Sequence, residues 1–197
     1  MLDPRKQSAS SPGSSRTNAS SRVNFPVLKW LALAWLAIWI PAYWRVWGWQ
    51  NFLHLCDVAM ILSCVGIIFG NRLLVSSQAL ATLLPGAMWG LDAGWRLFFH
   101  HNLIGGTEYL WDGTVPLWVR LLSLFHIVLP IVLAVLCFRI GYDRRALALQ
   151  SAITFFLMVI SRWMGPAALH VAIIFVGAVL LFYEPSHALL RRKLSGR

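Results

Sequence analysis

The sequence predicts an all-α integral membrane protein, a polytopic bundle of six transmembrane helices with both termini cytoplasmic. Three observations predict it. Apolar runs recur at about the 20-residue length that crosses roughly 30 Å of hydrocarbon. Charges are sparse in the 197 residues, with seven Asp plus Glu against 17 Lys plus Arg and a mean hydropathy of +0.66. The basic residues lie between and beyond the apolar runs, and unevenly so, which makes them a record of topology rather than the basic, aromatic-interleaved surface of a nucleic-acid binder.

Residues 1–24 are rich in Ser and carry Arg5, Lys6, Arg16 and Arg22. Too little apolar surface is present there to offset the ordering entropy, so a disordered basic tail is expected. That stretch has no apolar core of its own and no small-residue cleavage site closely follows the first apolar run, so no removable signal peptide is read. The transmembrane domain is expected over 25–186, followed by a basic cytoplasmic tail over 187–197.

The first span runs from Val27 to about Trp44, with Pro41 near its far end, and Trp44, Trp47 and Trp49 mark an interface. The second returns over Asn51 to Phe69, where Gly70-Asn71 supplies a helix stop and turn. The third covers Leu73 to Trp89, bent at Pro85 because proline frees the carbonyl four residues earlier. A long connection, 90–115, opens with GLDAGWRLFF, which reads as a short amphipathic helix lying on the membrane. In it, Glu108 and Asp112 are expected to be solvated or paired with Arg96, and His100-His101 to be an exposed interfacial pair. The fourth span is Pro116 to Phe138, closed by Gly141 with Asp143 as the following N-cap. The fifth is Ala146 to about Ile160 and the sixth Pro166 to Phe182.

Threading the chain this way places 13 of the 17 Lys and Arg on the side of the termini and leaves Arg45, Arg96, Arg120 and Arg162 opposite. The positive-inside rule therefore puts both ends in the cytoplasm, as in a multi-pass protein of the cytoplasmic (inner) membrane. Eight tryptophans, Trp89 and Trp118 among them, fall at the opposite ends. They read as an aromatic belt or as a mouth at headgroup level that admits an amphipathic ligand.

The stretch NFLHLCDVAMILSCVGIIFG, residues 51–70, carries His54, Cys56 and Asp57 inside an apolar span. A carboxyl group in hydrocarbon is costly, and an intramembrane Asp is by default a functional group. His54 and Asp57, three apart, share a face of a regular helix, whereas Cys56 is turned about 100° from Asp57. With about 1.5 Å of rise per residue, His126 in the fourth span comes level with Asp57 in the outer half of the membrane. Pro130, four residues later, frees the His126 carbonyl and opens the packing beside the imidazole. His170, four residues into the sixth span, is a further candidate. Cys56, Cys64 and Cys137 show neither metal-ligand spacing nor a disulfide framework. No metal site and no cofactor is expected from the residues. Gln78 and Gln150 are expected to bond between helices.

Three readings are open for the polar cluster. It is interhelical glue; or an enzyme site with Cys56 as nucleophile, His126 as base and then acid, and Asp57 fixing a histidine tautomer; or a proton, metal or haem pathway.

The run FLHLCDVA, followed about 70 residues later by LFHIVLP, resembles the YwaF-like six-span bacterial membrane family, which carries a similar LHLCD run and a later membrane histidine. More distantly it is similar to the membrane acyltransferases that remodel ether phospholipids through a Cys and a His, and to the androgen-induced fatty-acid-ester hydrolases that use a Thr and a His. The resemblance implies a lipid acyl hydrolase or acyltransferase, with the nucleophile at Cys56 and the base at His126. Asp57 and His54 are the supporting catalytic candidates, His170, Trp89 and Trp118 the substrate-binding ones, and membrane lipids the expected partners.

Overall fold

The computed structural model describes residues 25–163 and 177–194. The Ser-rich tail 1–24, most of the sixth expected span and the candidate His170 lie outside the described residues. Within them the regular structure is all helical. In order come α1 (Pro26–Trp47), a 3₁₀ turn (Trp49–Leu53), α2 (Leu55–Phe69), α3 (Arg72–Phe99), a second 3₁₀ turn (Glu108–Trp111), α4 (Leu117–Leu122), α5 (Phe125–Ile140), α6 (Ala146–Trp163), a π-helical turn (Val179–Tyr183) and α7 (Glu184–Leu194).

Two of these are long and apolar enough to cross a membrane: α1, and Leu117–Ile140 taken as one nearly continuous helix. Leu55–Phe69 and Ala146–Ile160 are shorter apolar helices. The described part of the chain is therefore a helical bundle, and two of its helices are of transmembrane length.

The helix α3 is the axis of the bundle, packing against α2, α5, α6 and the 177–194 segment. It enters through a tight hairpin. Gly70 takes a left-handed φ of +63°, which closes α2, and the Asn71 N–H returns to the Gly66 carbonyl at 2.8 Å. The Asn71 side chain then accepts from the Leu74 N–H at 3.0 Å and caps α3. Pro85 neither ends nor divides α3, which continues unbroken through the GLDAGWRLFF stretch. The separate amphipathic helix expected there is corrected: those residues are the last three turns of the axis.

Two more boundaries move for physical reasons. Gly48, at φ +78°, ends α1, and the chain then spends five residues in a 3₁₀ turn before α2 starts at Leu55. The expected fourth span breaks at Ser123-Leu124, where bonds from Ser123 to Arg120, Leu124 to Leu121 and His126 to Ser123 tighten the backbone to three-residue spacing.

On the α1 side the core is aromatic. Trp39, fully buried, is flanked by Tyr43, Phe52 and Phe125 with centroids 4.5, 5.5 and 5.6 Å away. Large apolar side chains also point outward along α1, α4, α5 and α6, among them Trp30, Ile38, Leu117, Val128, Ile131 and Phe156. Such a surface far exceeds the isolated apolar patches of a soluble monomer.

Candidate functional site

The site grows from two irregularities in otherwise regular helices. The first is the 3₁₀ turn before α2. It makes His54 the residue before the first helical turn, exposed and extended, instead of a member of the helix. The expected shared face of His54 and Asp57 is thereby corrected. Both residues hold Asn51 instead: the His54 ring Nδ1 donates to the Asn51 carbonyl at 2.8 Å, and the Asn51 side-chain amide donates to Asp57 Oδ2 at 2.5 Å. Asp57, in the first turn of α2, is 3% exposed. Its other oxygen receives the Cys56 thiol at 3.9 Å.

The second irregularity surrounds His126. The Ser123 carbonyl, released by the break between α4 and α5, accepts both the His126 backbone N–H at 3.1 Å and the ring Nδ1 at 2.8 Å. A carbonyl can only accept, so Nδ1 carries the proton and the neutral ring has its lone pair on Nε2. The ring is clamped between Trp89 and Phe125, stacked at centroid distances of 4.8 and 4.1 Å. On the backbone side, Pro130 cannot donate to the His126 carbonyl, and α3 fills the gap with Gly86. A Cβ on Gly86 would sit 2.4 Å from that carbonyl oxygen and 2.9 Å from Pro130 Cγ, so only glycine permits this approach.

Cys56, His54 and His126 together line two adjoining cavities. One, of about 440 Å³, is rimmed by polar and aromatic groups including Tyr43, Asn51, Asp57, Trp89 and Tyr109. The other, of about 260 Å³, lies between α2, α3 and α5 against Leu55, Ala81, Pro85, Gly86, Leu129 and Pro130. Trp118 lines neither; it is 57% exposed on α4.

Several contributors were not singled out in the sequence. Tyr43 shares a 2.7 Å hydrogen bond with the Ser123 hydroxyl, tying α1 to the turn that orients His126. Tyr109 accepts from the Trp89 indole at 3.2 Å, which leaves its own hydroxyl proton for another acceptor. Burial holds that hydroxyl above the ordinary tyrosine range, so it is a neutral donor at physiological pH.

Tyr109 and Gly106 reach the cavity because Asp92 holds the loop. One Asp92 oxygen accepts the backbone N–H groups of Leu103, Ile104 and Gly105 at 2.8, 2.6 and 3.1 Å. The other accepts from Asn102 at 2.8 Å and from the Thr107 hydroxyl. Asp92 is covered by the loop it holds, not by depth in the bundle. Burial in the loop opposes ionisation, but the bonds from Ile104, Thr107, Gly105 and Asn102 outweigh it and hold the carboxyl below the ordinary range. Arg96 bonds Asn102 and stacks over Trp111 at 4.8 Å. Glu108 accepts from Gly106 N–H and Asp112 from Thr114, and both are exposed, so of the two expected outcomes they are solvated and not paired with Arg96.

Among the described residues, no three His, Cys, Asp or Glu side chains are grouped to hold a metal ion. No family model matches the chain, and neither a curated protein nor a solved structure does.

Proposed function

We propose that this chain is a six-span membrane protein of the YwaF-like kind, with both termini cytoplasmic, and that it transfers or hydrolyses an acyl group of a lipid at Cys56 and His126. The membrane setting is supported by the outward-facing apolar side chains of α1, α4, α5 and α6, the two helices of spanning length and the one-sided Lys and Arg. The chemistry rests on one observation: the His126 ring, its Nδ1 committed to Ser123, lines the same cavities as the Cys56 thiol and leaves Nε2 as its free basic nitrogen.

In the proposed reaction the Cys56 proton passes to His126 Nε2 as the sulfur bonds the ester carbonyl carbon. Collapse of the tetrahedral adduct breaks the carbon–oxygen bond and forms a thioester, and the leaving alkoxide takes the proton from His126. Water or a second alcohol then attacks the thioester. Its proton goes to His126 and on to the departing sulfur, which restores both groups. Asp57 is a positioning residue here: it holds Asn51, while the Ser123 carbonyl sets the His126 tautomer.

A short-chain acyl thiol-trapping probe tests this. Labelling of the wild type should disappear in Cys56→Ala and fall by about 100-fold or more in His126→Ala, the range of a lost general base. A second reading, a lipid-binding module without chemistry, is favoured by the direction of the Cys56 thiol, which donates toward Asp57 and not toward His126. Labelling that vanishes in Cys56→Ala but persists in His126→Ala would select that module and sink the acyl-transfer mechanism.

A further inference from the structure

The two cavities differ in chemistry yet meet at the same three residues, His54, Cys56 and His126. On one side of that seam stand hydroxyl, amide and carboxyl groups: Tyr43, Asn51, Asp57 and Tyr109. On the other the walls are Leu55, Ala81, Thr82, Phe125, Leu129 and Pro130. Thr82 adds no polar demand there, because its hydroxyl is returned to the Gln78 carbonyl of its own helix at 2.9 Å.

A ligand that satisfies both chambers at once must be apolar at one end and hydrogen-bonding at the other, with the join at the seam. The apolar chamber, at about 260 Å³, falls below the roughly 300 to 1,000 Å³ of sites that enclose a drug-sized molecule. It holds part of a membrane acyl chain and not a full-length one.

We propose that the site selects esters of short to medium acyl chains, with the chain in the α2–α3–α5 chamber, the carbonyl between Cys56 and His126, and the alcohol portion among Asn51, Asp57 and Tyr109. This deepens the acyl-transfer reading and rests on it for the placement of the carbonyl. The chamber walls set the chain length. Ala81, on α3, and Leu129, on α5, are buried at 5% and 6% exposure and line it from two helices, so enlarging one and trimming the other change its room in opposite directions.

The test uses the full chain in lipid nanodiscs and monoacylglycerols from butanoyl to tetradecanoyl, with binding measured against the free aqueous concentration. Each methylene that enters the chamber tightens binding about fourfold, and the gain stops when the chamber is full. The break is expected at a shorter chain in Ala81→Leu and a longer one in Leu129→Ala, so a folding failure of either variant leaves the other to decide. A rise with no break, or a break that neither variant moves, would overturn the inference, since simple partition into lipid gives that result. A break that shifts as expected in a protein that hydrolyses none of these esters would sink the chemistry and leave the chamber standing.

Discussion

Two polar clusters are buried in this bundle, and they are built in opposite ways. In the first, Gln78 on α3 donates to Gln150 on α6 at 3.2 Å, Gln150 donates to Thr154 and Tyr183 at 3.3 Å, and those two hydroxyls bond at 2.7 Å. Three of the four bonds run between elements, the exception being Gln150 to Thr154 within α6, and of these side chains' polar atoms only Gln78 Oε1 lacks a partner. In the second, His54, Asp57 and His126 bond only to groups within six residues of themselves, and each lines a cavity. Polar groups cross-linked between helices hold them together. Locally anchored ones with a free ring nitrogen and a cavity beside them are set up for a ligand.

The contrast can be broken at several points. The largest effect is expected where the chamber's backbone leans on the axis. Gly86→Ala drives a methyl into the His126 carbonyl, and overpacking against backbone costs about 3 kcal/mol or more; denaturant unfolding in mild detergent reads it. Next, Gln150→Ala removes an interhelical bridge and leaves one buried Gln78 N–H without its acceptor, at about 2 kcal/mol in the same assay. If that substitution proved neutral, the knot would not be a structural device.

Asp92→Ala acts locally. The amides of Leu103, Ile104 and Gly105 lose their common acceptor, and their hydrogen exchange should quicken about tenfold or more, the measure of one lost charge-assisted bond. The pH dependence has a definite sign. The folded Asp92 titrates below its unfolded value of about 3.9, so its contribution is complete above that pH and fades as pH falls through the lower folded value. Loop protection, corrected for intrinsic exchange, should therefore be level from pH 8 down to about 4 and decline only in stronger acid. The smallest effect is expected for His54→Ala, whose exposed ring bonds only its own turn: less than about 0.5 kcal/mol. A loss there as large as that of Gln150→Ala would erase the distinction between glue and chamber.

How much of this was legible depended on whether the signal was local. The Gln78 and Gln150 bond could be read, because a buried amide in an apolar helix must find a partner on another one. The meeting of Cys56 and Asp57 with His126 in one cavity follows from helix rise and antiparallel order, both of which the sequence carries. The shared helix face of His54 and Asp57 was misread because the second span was expected to be helical from Asn51 onward, and nothing in the periodicity of Trp49–Leu53 announces a 3₁₀ turn. Tyr43, Ser123 and Tyr109 were missed for a different reason. Their bonds join residues 80 and 20 positions apart, a separation that only the folded bundle brings together. The run of α3 past Trp89 was hidden by Gly90, Asp92 and Gly94, which read as a break before a separate amphipathic helix until the Asp92 carboxylate is seen to take up loop amides while its backbone stays helical.

The unbroken length of α3 has a consequence for access. At 28 residues it is about 42 Å long, against roughly 30 Å of hydrocarbon. In the proposed membrane setting it overshoots the acyl layer, and its final turns lift Asp92 and the 102–112 loop into the hydrated zone of the headgroups. In that setting the apolar chamber of the proposed site would lie toward the oil and the loop over it toward the water, so that each half of an amphiphile would keep its own solvent on entry.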